Sequence, residues 1–397
     1  MVSSYHTTPA TAAIRSVAFI TGINGQDGSY LAEFLLELGY EVWGLVRRAS
    51  QLHTQFLDNI YHHPSLFLRY GDMTDSGSLQ NILHELSSTT PFKRLEIYNL
   101  AAMSHVQVSF EMPRYTLDVD ATGVLNLIEA IRVCNLTHHI RFYQASTSEL
   151  YGDVLEKPQT ELTPFNPQSP YGIAKLTGYW LVKHARETYG MYACNGILFN
   201  HESPRRGPTF VTRKITRGLA AILRGDQECL IMGNLDSKRD WSHAKDMVRA
   251  MWMMLGQTIP QDYVVASGIQ VTIRECITYA FKLRGIQLEW QGSGLNEIGI
   301  DTKTLIIRVR ISEKYFRPSD VTDLLGDSTR IRTELGWSPN YTFETLIEEM
   351  VNEDSPIPMI ENINEVSECA ADKKTGKMSD EMSDEIEHVF VMQSSTS

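Results

Sequence analysis

The stretch Thr21-Gly22-Ile23-Asn24-Gly25-Gln26-Asp27-Gly28 constrains this chain more than any other part of it. Three glycines at G-x-x-G-x-x-G spacing fall between a short apolar run, Val17–Ile20, and an amphipathic helical pattern, Ser29–Leu38, that Gly39 closes. Glycine lets a backbone turn tightly and come close to a ligand, and the N–H groups at the following helix start stabilise a pyrophosphate. A glycine triplet alone says little. In a strand–turn–helix setting it predicts a dinucleotide cradle.

The pattern downstream keeps the same rhythm. Strands are expected at Glu41–Val46, Phe67–Tyr70, Leu95–Leu100, Ile140–Gln144 and Ala193–Phe199, with helices at Leu79–Leu86, Val119–Val133 and Ala174–Tyr189. Parallel strands need crossover helices, so this alternation predicts an α/β fold with a doubly wound parallel (Rossmann) sheet. Residues 15–200 are expected to form this dinucleotide-binding domain. Beyond Asn200 the rhythm becomes irregular, with a helix near Lys214–Leu223, β-like pieces at Cys229–Met232 and Tyr263–Ala266, and a closing helix Phe343–Val351. That predicts a smaller substrate-binding domain over 201–352, part of which is free to return to the Rossmann sheet. Residues 1–14 read as loose.

Charge narrows the function classes. The chain has 48 acidic and 36 basic side chains, a net charge of −12. From Glu353 onward stand eleven acids against three lysines, so two thirds of the net charge sits on a tail read as disordered. Val389–Met392 within it is weighed as a docking element and read as a flexible end. Neither tail nor body offers the basic surface that nucleic acid or an anionic membrane requires. The five cysteines have no paired spacing, no signal-peptide pattern opens the chain, and no apolar run is long enough to span a bilayer. The expectation is a cytoplasmic protein. The adjacent pairs His62-His63 and His138-His139 are poor chelates, so no metal is expected.

At the end of the second strand, where an acid would hold a ribose 2′-OH, stand Arg47 and Arg48. Two guanidiniums suit a 2′-phosphate, which predicts NADP rather than NAD. Asp72, after the third strand, is either an acceptor for the adenine amino group or a turn residue. Further on, Tyr171 and Lys175 share one helix face, downstream of the Ser/Thr-rich strand end Ser146-Thr147-Ser148-Glu149. A lysine near a phenol lowers its pKa from ~10 toward the working range. Such a tyrosine can take the proton of a hydroxyl whose carbon loses hydride.

On these residues the sequence resembles the extended short-chain dehydrogenase/reductases, and within them the GDP-mannose 4,6-dehydratases. The resemblance spans roughly 15–352 and is carried by Thr21–Glu37, Arg47–Ser50, Phe142–Gly152, Asn195–Gly207, Phe210–Arg217, Arg239–Trp241 and Tyr315–Pro318. It implies a lyase that removes water from GDP-mannose by internal hydride transfer through NADP, a step toward GDP-fucose or other deoxyhexoses. It implies Tyr171 as proton acceptor, Lys175 as its partner, Thr147 at the sugar 4-oxygen and Glu149 as acid/base of the elimination.

Cofactor contacts are implied for Gly22–Gly28, Arg47, Arg48, Ser50, Asp72, Met73, Leu100, Ala101, Ala102, Ser104, Tyr115, Lys175, His201 and Arg206. Substrate contacts are implied for Ser148, Asn200, Lys214, Arg239 and Arg317. Pairing of Val119–Val133 and Ala174–Tyr189 across an interface implies a homodimer or homotetramer. The chain departs from the family pattern at Ala101, Gln168, Ser242, Met247 and around His53–Phe56, where the loop to Tyr70 is shortened. Two alternatives stay open: another nucleotide-sugar dehydratase, reductase or epimerase of the same fold, or a catalytically silent NADP-binding regulator.

Overall fold

The computed structural model describes residues 15–50, 53–89, 92–315 and 324–356. The expectations for residues 1–14, for the acidic tail beyond residue 356 with Val389–Met392, and for Arg317 lie outside the described residues.

The first half runs β1 (Arg15–Thr21), α1 (Gln26–Glu37), β2 (Glu41–Val46), β3 (Leu66–Tyr70), α2 (Ser76–Thr89) and β4 (Phe92–Asn99). It continues through α3 (Val106–Glu111), α4 (Pro113–Leu117), α5 (Gly123–Val133), β5 (Ile140–Thr147), α6 (Pro170–Tyr189) and β6 (Tyr192–Leu198). The strands form one parallel sheet in the order β11-β6-β5-β4-β1-β2-β3, where β11 is Tyr263–Val265. Crossing from β3 to β1 and then outward through β4 leaves a crevice at the carboxyl ends of β1 and β4. That is where a doubly wound sheet binds its ligand.

Alternation along β1 splits the core into two layers. Val17 and Phe19 pack with α2, α5 and α6 side chains such as Leu79, Ile128 and Val182. Ala18 and Ile20 pack on the other face with Leu31 and Leu35 of α1 and with Met247, Met251 and Met254. Those methionines belong to α8 (Ala244–Leu255), so the Met/Trp-rich run is a buried helix face.

Two helices differ from expectation. α6 begins at Pro170, not at Ala174, because proline at the first helical position gives up no needed N–H and Ser169 Oγ caps it, accepting from Gly172 N at 3.0 Å. Tyr171 and Lys175 therefore both lie inside the helix. The expected helix Val119–Val133 is broken at its start: α4 passes through a π-type turn, Asp118–Thr122, before α5. Such a turn inserts a residue into the helical ladder and rotates what precedes it.

The remainder comprises β7 (His201–Glu202), α7 (Val211–Arg224), β8 (Leu230–Met232), β9 (Lys238–Asp240), β10 (Ser242–His243), α8, β11, β12 (Gln270–Thr272) and α9 (Ile273–Lys282). It closes with β13 (Leu288–Gln291), β14 (Ile298–Asp301), β15 (Ile307–Ile311), α10 (Thr329–Leu335) and α11 (Phe343–Asp354). A second sheet, β13-β14-β15-β8, packs with α7, α9 and α11 around Leu219, Ile277 and Met350. Meanwhile α8 and β11 return to the first sheet, one on its face and one at its edge. Helix α11 runs two residues past the point where the tail was expected to start. Its last residue, Asp354, pairs with Arg213 at 2.9 Å and accepts from Thr216 at 2.6 Å.

Candidate active site

A cavity of about 550 Å³ opens at the carboxyl ends of the central strands, between the glycine-rich turn and the N-terminal end of α6. The turn is shaped by close approach. Gly22 adopts φ +70°, and a Cβ on it would stand 2.9 Å from Ala101 N; one on Gly28 would stand 2.3 Å from Gly22 O. Helix α1 starts at Gly25 with no side-chain cap, so its first N–H groups face the cavity without a protein acceptor from that cap. The turn and uncapped helix fit a pyrophosphate.

Hydrogen bonds fix this cradle from both sides. Thr21 Oγ1 donates to Asn99 Oδ1 at 2.7 Å and accepts from Leu100 N and Ala101 N at 3.0 and 3.1 Å, which locks β1 to the wall after β4. From the other side Ser203 donates to Gln26 Oε1 at 2.8 Å, Gln26 Nε2 donates to His201 O, and His201 Nε2 lies 2.8 Å from Asp27 Oδ2. Burial raises the Asp27 carboxyl, but His201, Gln26 and Arg206 outweigh it and hold the group below the usual carboxylate range. Burial lowers the His201 imidazole, yet Asp27 brings it above its ordinary value. The His201–Asp27 contact thus clamps the turn to the strand after β6.

The opposite wall holds the residues expected to carry the chemistry. Thr147 ends β5, and its Oγ1 accepts from Glu149 N at 3.2 Å, setting a short 3₁₀ turn that turns Ser148 and Glu149 into the cavity wall. Tyr171 and Lys175 of α6 line the same cavity, with Nζ 5.8 Å from the phenol ring centre. The expectation that Lys175 lowers the phenol pKa is not met by this geometry. Lys175 donates to Ala145 O at 3.2 Å, while burial pushes the phenol above its ordinary value, helped by Asp120 and Glu149 and opposed by a Thr147 hydrogen bond and by Arg206. Burial also lowers the Lys175 ammonium, and Asp120 and Asp27 partly restore it. Desolvation is the largest influence on both enclosed groups.

Of the residues expected at the site, the cavity gathers Gly22, Asn24, Gly25, Gln26, Asp27, Gly28, Arg47, Asp72, Met73, Leu100, Ala101, Ala102, Ser104 and Tyr115 on the cofactor side. It also gathers Thr147, Ser148, Glu149, Tyr171, Lys175, Asn200, His201 and Arg206. Others stand apart. The Ile23 side chain is fully buried in the core behind the turn. Arg48 turns away to Ala49 O and the Tyr70 ring, so one arginine of the pair, Arg47, lines the cavity and donates to Tyr115 OH. Ser50 is exposed outside the lining. Lys214 on α7 lies 3.8 Å from the centre of the Tyr315 ring, and Arg239 on β9 donates to Lys238 O; neither lines this cavity. Asp72 Oδ1 accepts from Thr74 N at 2.9 Å, which makes it a turn residue that also faces the cavity.

Several lining residues were not read from sequence. His53 and Phe56 close the cofactor end, where Asn24 Nδ2 donates to His53 O at 3.1 Å. Arg205 reaches back to Glu33 at 2.6 Å and lies over the Tyr30 ring. Phe210 carries the Arg206 guanidinium 3.7 Å above its ring. The Arg205-Arg206 dipeptide is visible in the sequence; the loop of His53 has no periodicity to mark it.

A parallel sheet with this cradle, facing a Tyr–Lys helix across one crevice, defines an extended short-chain dehydrogenase/reductase. The fold is shared with a solved dTDP-glucose 4,6-dehydratase from Streptomyces venezuelae with NAD and TYD bound, at TM-score 0.70 and 22% identity over 85% of this chain and 96% of that one. The GDP-mannose 4,6 dehydratase family profile matches residues 19–350. A GDP-mannose 4,6-dehydratase of Vibrio cholerae is 54% identical over 86% of this chain and 94% of its own length. A GDP-mannose 4,6 dehydratase of Homo sapiens is 51% identical over 86% and 91%. The chain belongs to the GDP-mannose 4,6-dehydratase family. Among the described residues no helix is long and apolar enough to cross a membrane.

Proposed function

We propose that this chain converts GDP-mannose to GDP-4-keto-6-deoxy-mannose, using NADP. The observation that carries the reading is the convergence of Thr147, Glu149, Tyr171 and Lys175 on one cavity with the glycine cradle. Held by the glycine turn and Arg47, a nicotinamide cofactor would supply the hydride acceptor and donor that let the sugar be oxidised at C4 and reduced at C6 with no net redox change. Tyr171 accepts the proton of the sugar 4-hydroxyl, and the Thr147 hydroxyl holds the same oxygen. A ketone at C4 acidifies the C5 proton. Glu149, set beside Thr147 by its own backbone hydrogen bond, removes that proton and protonates the departing C6 hydroxyl, which leaves as water. As hydride reaches C6, C5 takes a proton from solvent and Tyr171 releases to solvent the one it accepted. Lys175 is the cationic partner, its Nζ 5.8 Å from the centre of the Tyr171 ring.

The test is mass-spectrometric product analysis with a panel of nucleotide sugars. Loss of one water from GDP-mannose, with no net oxidation or reduction of cofactor, is expected. Oxidised or epimerised product without water loss would reject the dehydratase reading.

Arg47 is the side chain offered to a ribose 2′-phosphate. A charge-assisted hydrogen bond is worth about 1.5–3 kcal/mol, or roughly 10–100-fold in affinity. Arg47→Ala is therefore expected to weaken NADPH binding by that factor in a fluorescence titration while NADH binding changes about twofold or less. Equal weakening of both would remove Arg47 from 2′-phosphate recognition. Self-association is proposed as well, at least to a dimer: Leu125, Ile173 and Trp180 are exposed on α5 and α6, the helices expected to pair, and Leu117 is exposed at the end of α4 just before them.

A further inference from the structure

Arg206 is presented to the cavity by the stretch 202–212, which folds back on itself behind the wall. Pro204 takes the second position of a turn in which Arg206 N donates to Ser203 O at 3.0 Å, and Ser203 Oγ accepts from Arg205 N at 3.0 Å. Proline presets such a turn. The turn sends two adjacent arginines apart: Arg205 pairs with Glu33 on α1, and Arg206 returns along its own chain to Glu202 on β7. Glu202 is 2% exposed. Its Oε2 accepts from Thr212 Oγ1 in the first turn of α7 and lies 3.1 Å from Arg206 Nε. That buried Nε has no hydrogen-bond partner among the described residues, so charge and not hydrogen-bond geometry holds the pair. One edge of the guanidinium faces Glu202 and one face lies on Phe210, whose ring is 5.3 Å from that of His105. The cavity meets what is left of the group: Arg206 lines it, while Glu202 and Thr212 do not.

We propose that Glu202 is a positioning residue for the cofactor: from behind the wall it sets the Arg206 guanidinium toward the part of the dinucleotide that NADPH and NADH share. The proposal rests on the reading of this cavity as a nicotinamide cofactor's site. The Arg206 charge helps to hold the Asp27 carboxyl of the glycine turn down and opposes the rise of the Tyr171 phenol. It therefore acts between the pyrophosphate cradle and the candidate base.

Removing the Glu202 charge has two opposite consequences. It leaves more net positive charge near an anionic ligand, which favours binding. It also frees a long side chain whose charge-assisted hydrogen bonds depend on distance and angle, which disfavours binding. Water and salt screen the first effect in an open cavity but do not restore the second. Placement therefore wins, and the net change is weaker binding.

Glu202→Gln keeps the size and the acceptor for Thr212 and removes the charge. It is expected to weaken NADPH and NADH alike by about 10-fold, the scale of one charge-assisted hydrogen bond, in isothermal titration without sugar nucleotide. Arg206→Ala should weaken both by about 10–100-fold. In that background Glu202→Gln should add about twofold or less, because no guanidinium is left to place. Arg206→Lys, which keeps a cation beside Glu202, is the second variant should Arg206→Ala not fold, and Glu202→Gln should again cost less there than in the unaltered chain. Additive losses would overturn the proposal, since a residue that merely supports the wall would weaken binding with or without Arg206. Unchanged or tighter binding by Glu202→Gln, or a loss confined to NADPH, would overturn it as well. An unaltered chain that binds neither dinucleotide would reject the reading of the cavity and the proposal with it; normal binding with additive losses rejects the proposal alone.

Discussion

Glu149→Gln should lower the rate of water loss from GDP-mannose by about 10²–10⁴-fold, the usual contribution of a positioned acid or base. Glutamine is nearly isosteric, so the Thr147 Oγ1 to residue 149 N–H bond that shapes the 3₁₀ turn can persist. What disappears is the only group at this position able to take the C5 proton. Cofactor affinity should change about threefold or less, because the glycine cradle and Arg47 are on the far wall of the cavity. Single-turnover product formation, followed beside an NADPH titration, separates the two quantities. Parallel losses in both would mean that Glu149 shapes the cavity and does not act on the sugar. Solvent-deuterium incorporation at C5 provides a second readout, and it should fall with the rate of water loss.

Gly28→Ala should nearly abolish cofactor binding, with a loss of about 100-fold, equivalent to about 2.7 kcal/mol. The added methyl would meet Gly22 O at 2.3 Å and Ile23 Cα at 2.6 Å, and both are backbone atoms of the turn itself. Neither can swing aside as the tip of a side chain can. Relief requires the turn and α1 to part by about 1 Å, a misplacement of the scale that costs about 10²-fold at a preorganised site. Overpacking of this kind also costs about 1–3 kcal/mol of stability. Gly25→Ala is the internal comparison: its Cβ would approach Gly22 O at 3.3 Å, a contact that a small adjustment relieves. Isothermal titration with NADPH should rank Gly28→Ala far below Gly25→Ala. Similar affinities for the two variants would contradict the view that turn closure, rather than glycine content, makes the cradle.

The fold was largely legible because its signals are periodic and local. β2 falls on Glu41–Val46 as read, and β1, β3, β4, β5 and β6 fall within a few residues of their expected ends. Helix starts were less legible where a cap and not an apolar stripe decides them, as at Ser169-Pro170, which adds one turn to the start of α6. The π-type turn at Asp118–Thr122 was not legible at all, since the residues around it follow an unbroken helical pattern.

The site divides in the same way. Tyr171, Lys175, Thr147, Glu149 and the glycine turn are short-range patterns whose spacing states their chemistry, and the cavity contains all of them. Arg47 and Arg48 look equivalent in sequence, yet one lines the cavity and the other lies toward Tyr70, because neighbouring residues at a strand end point to opposite sides. Lys214 and Arg239, for which the resemblance implies substrate contacts, stand on α7 and β9, outside the lining of this cavity.

By itself, then, the sequence determined the doubly wound sheet, the dinucleotide turn and the short motifs proposed for catalysis, because each motif depends on residues within one or two helical turns of one another. The tertiary structure alone decided which of two adjacent arginines meets the cavity and that His201 clamps Asp27 across 174 positions. Those relations arise where distant strands and helices meet, and burial there changes the charge on a group more than its neighbours in sequence do.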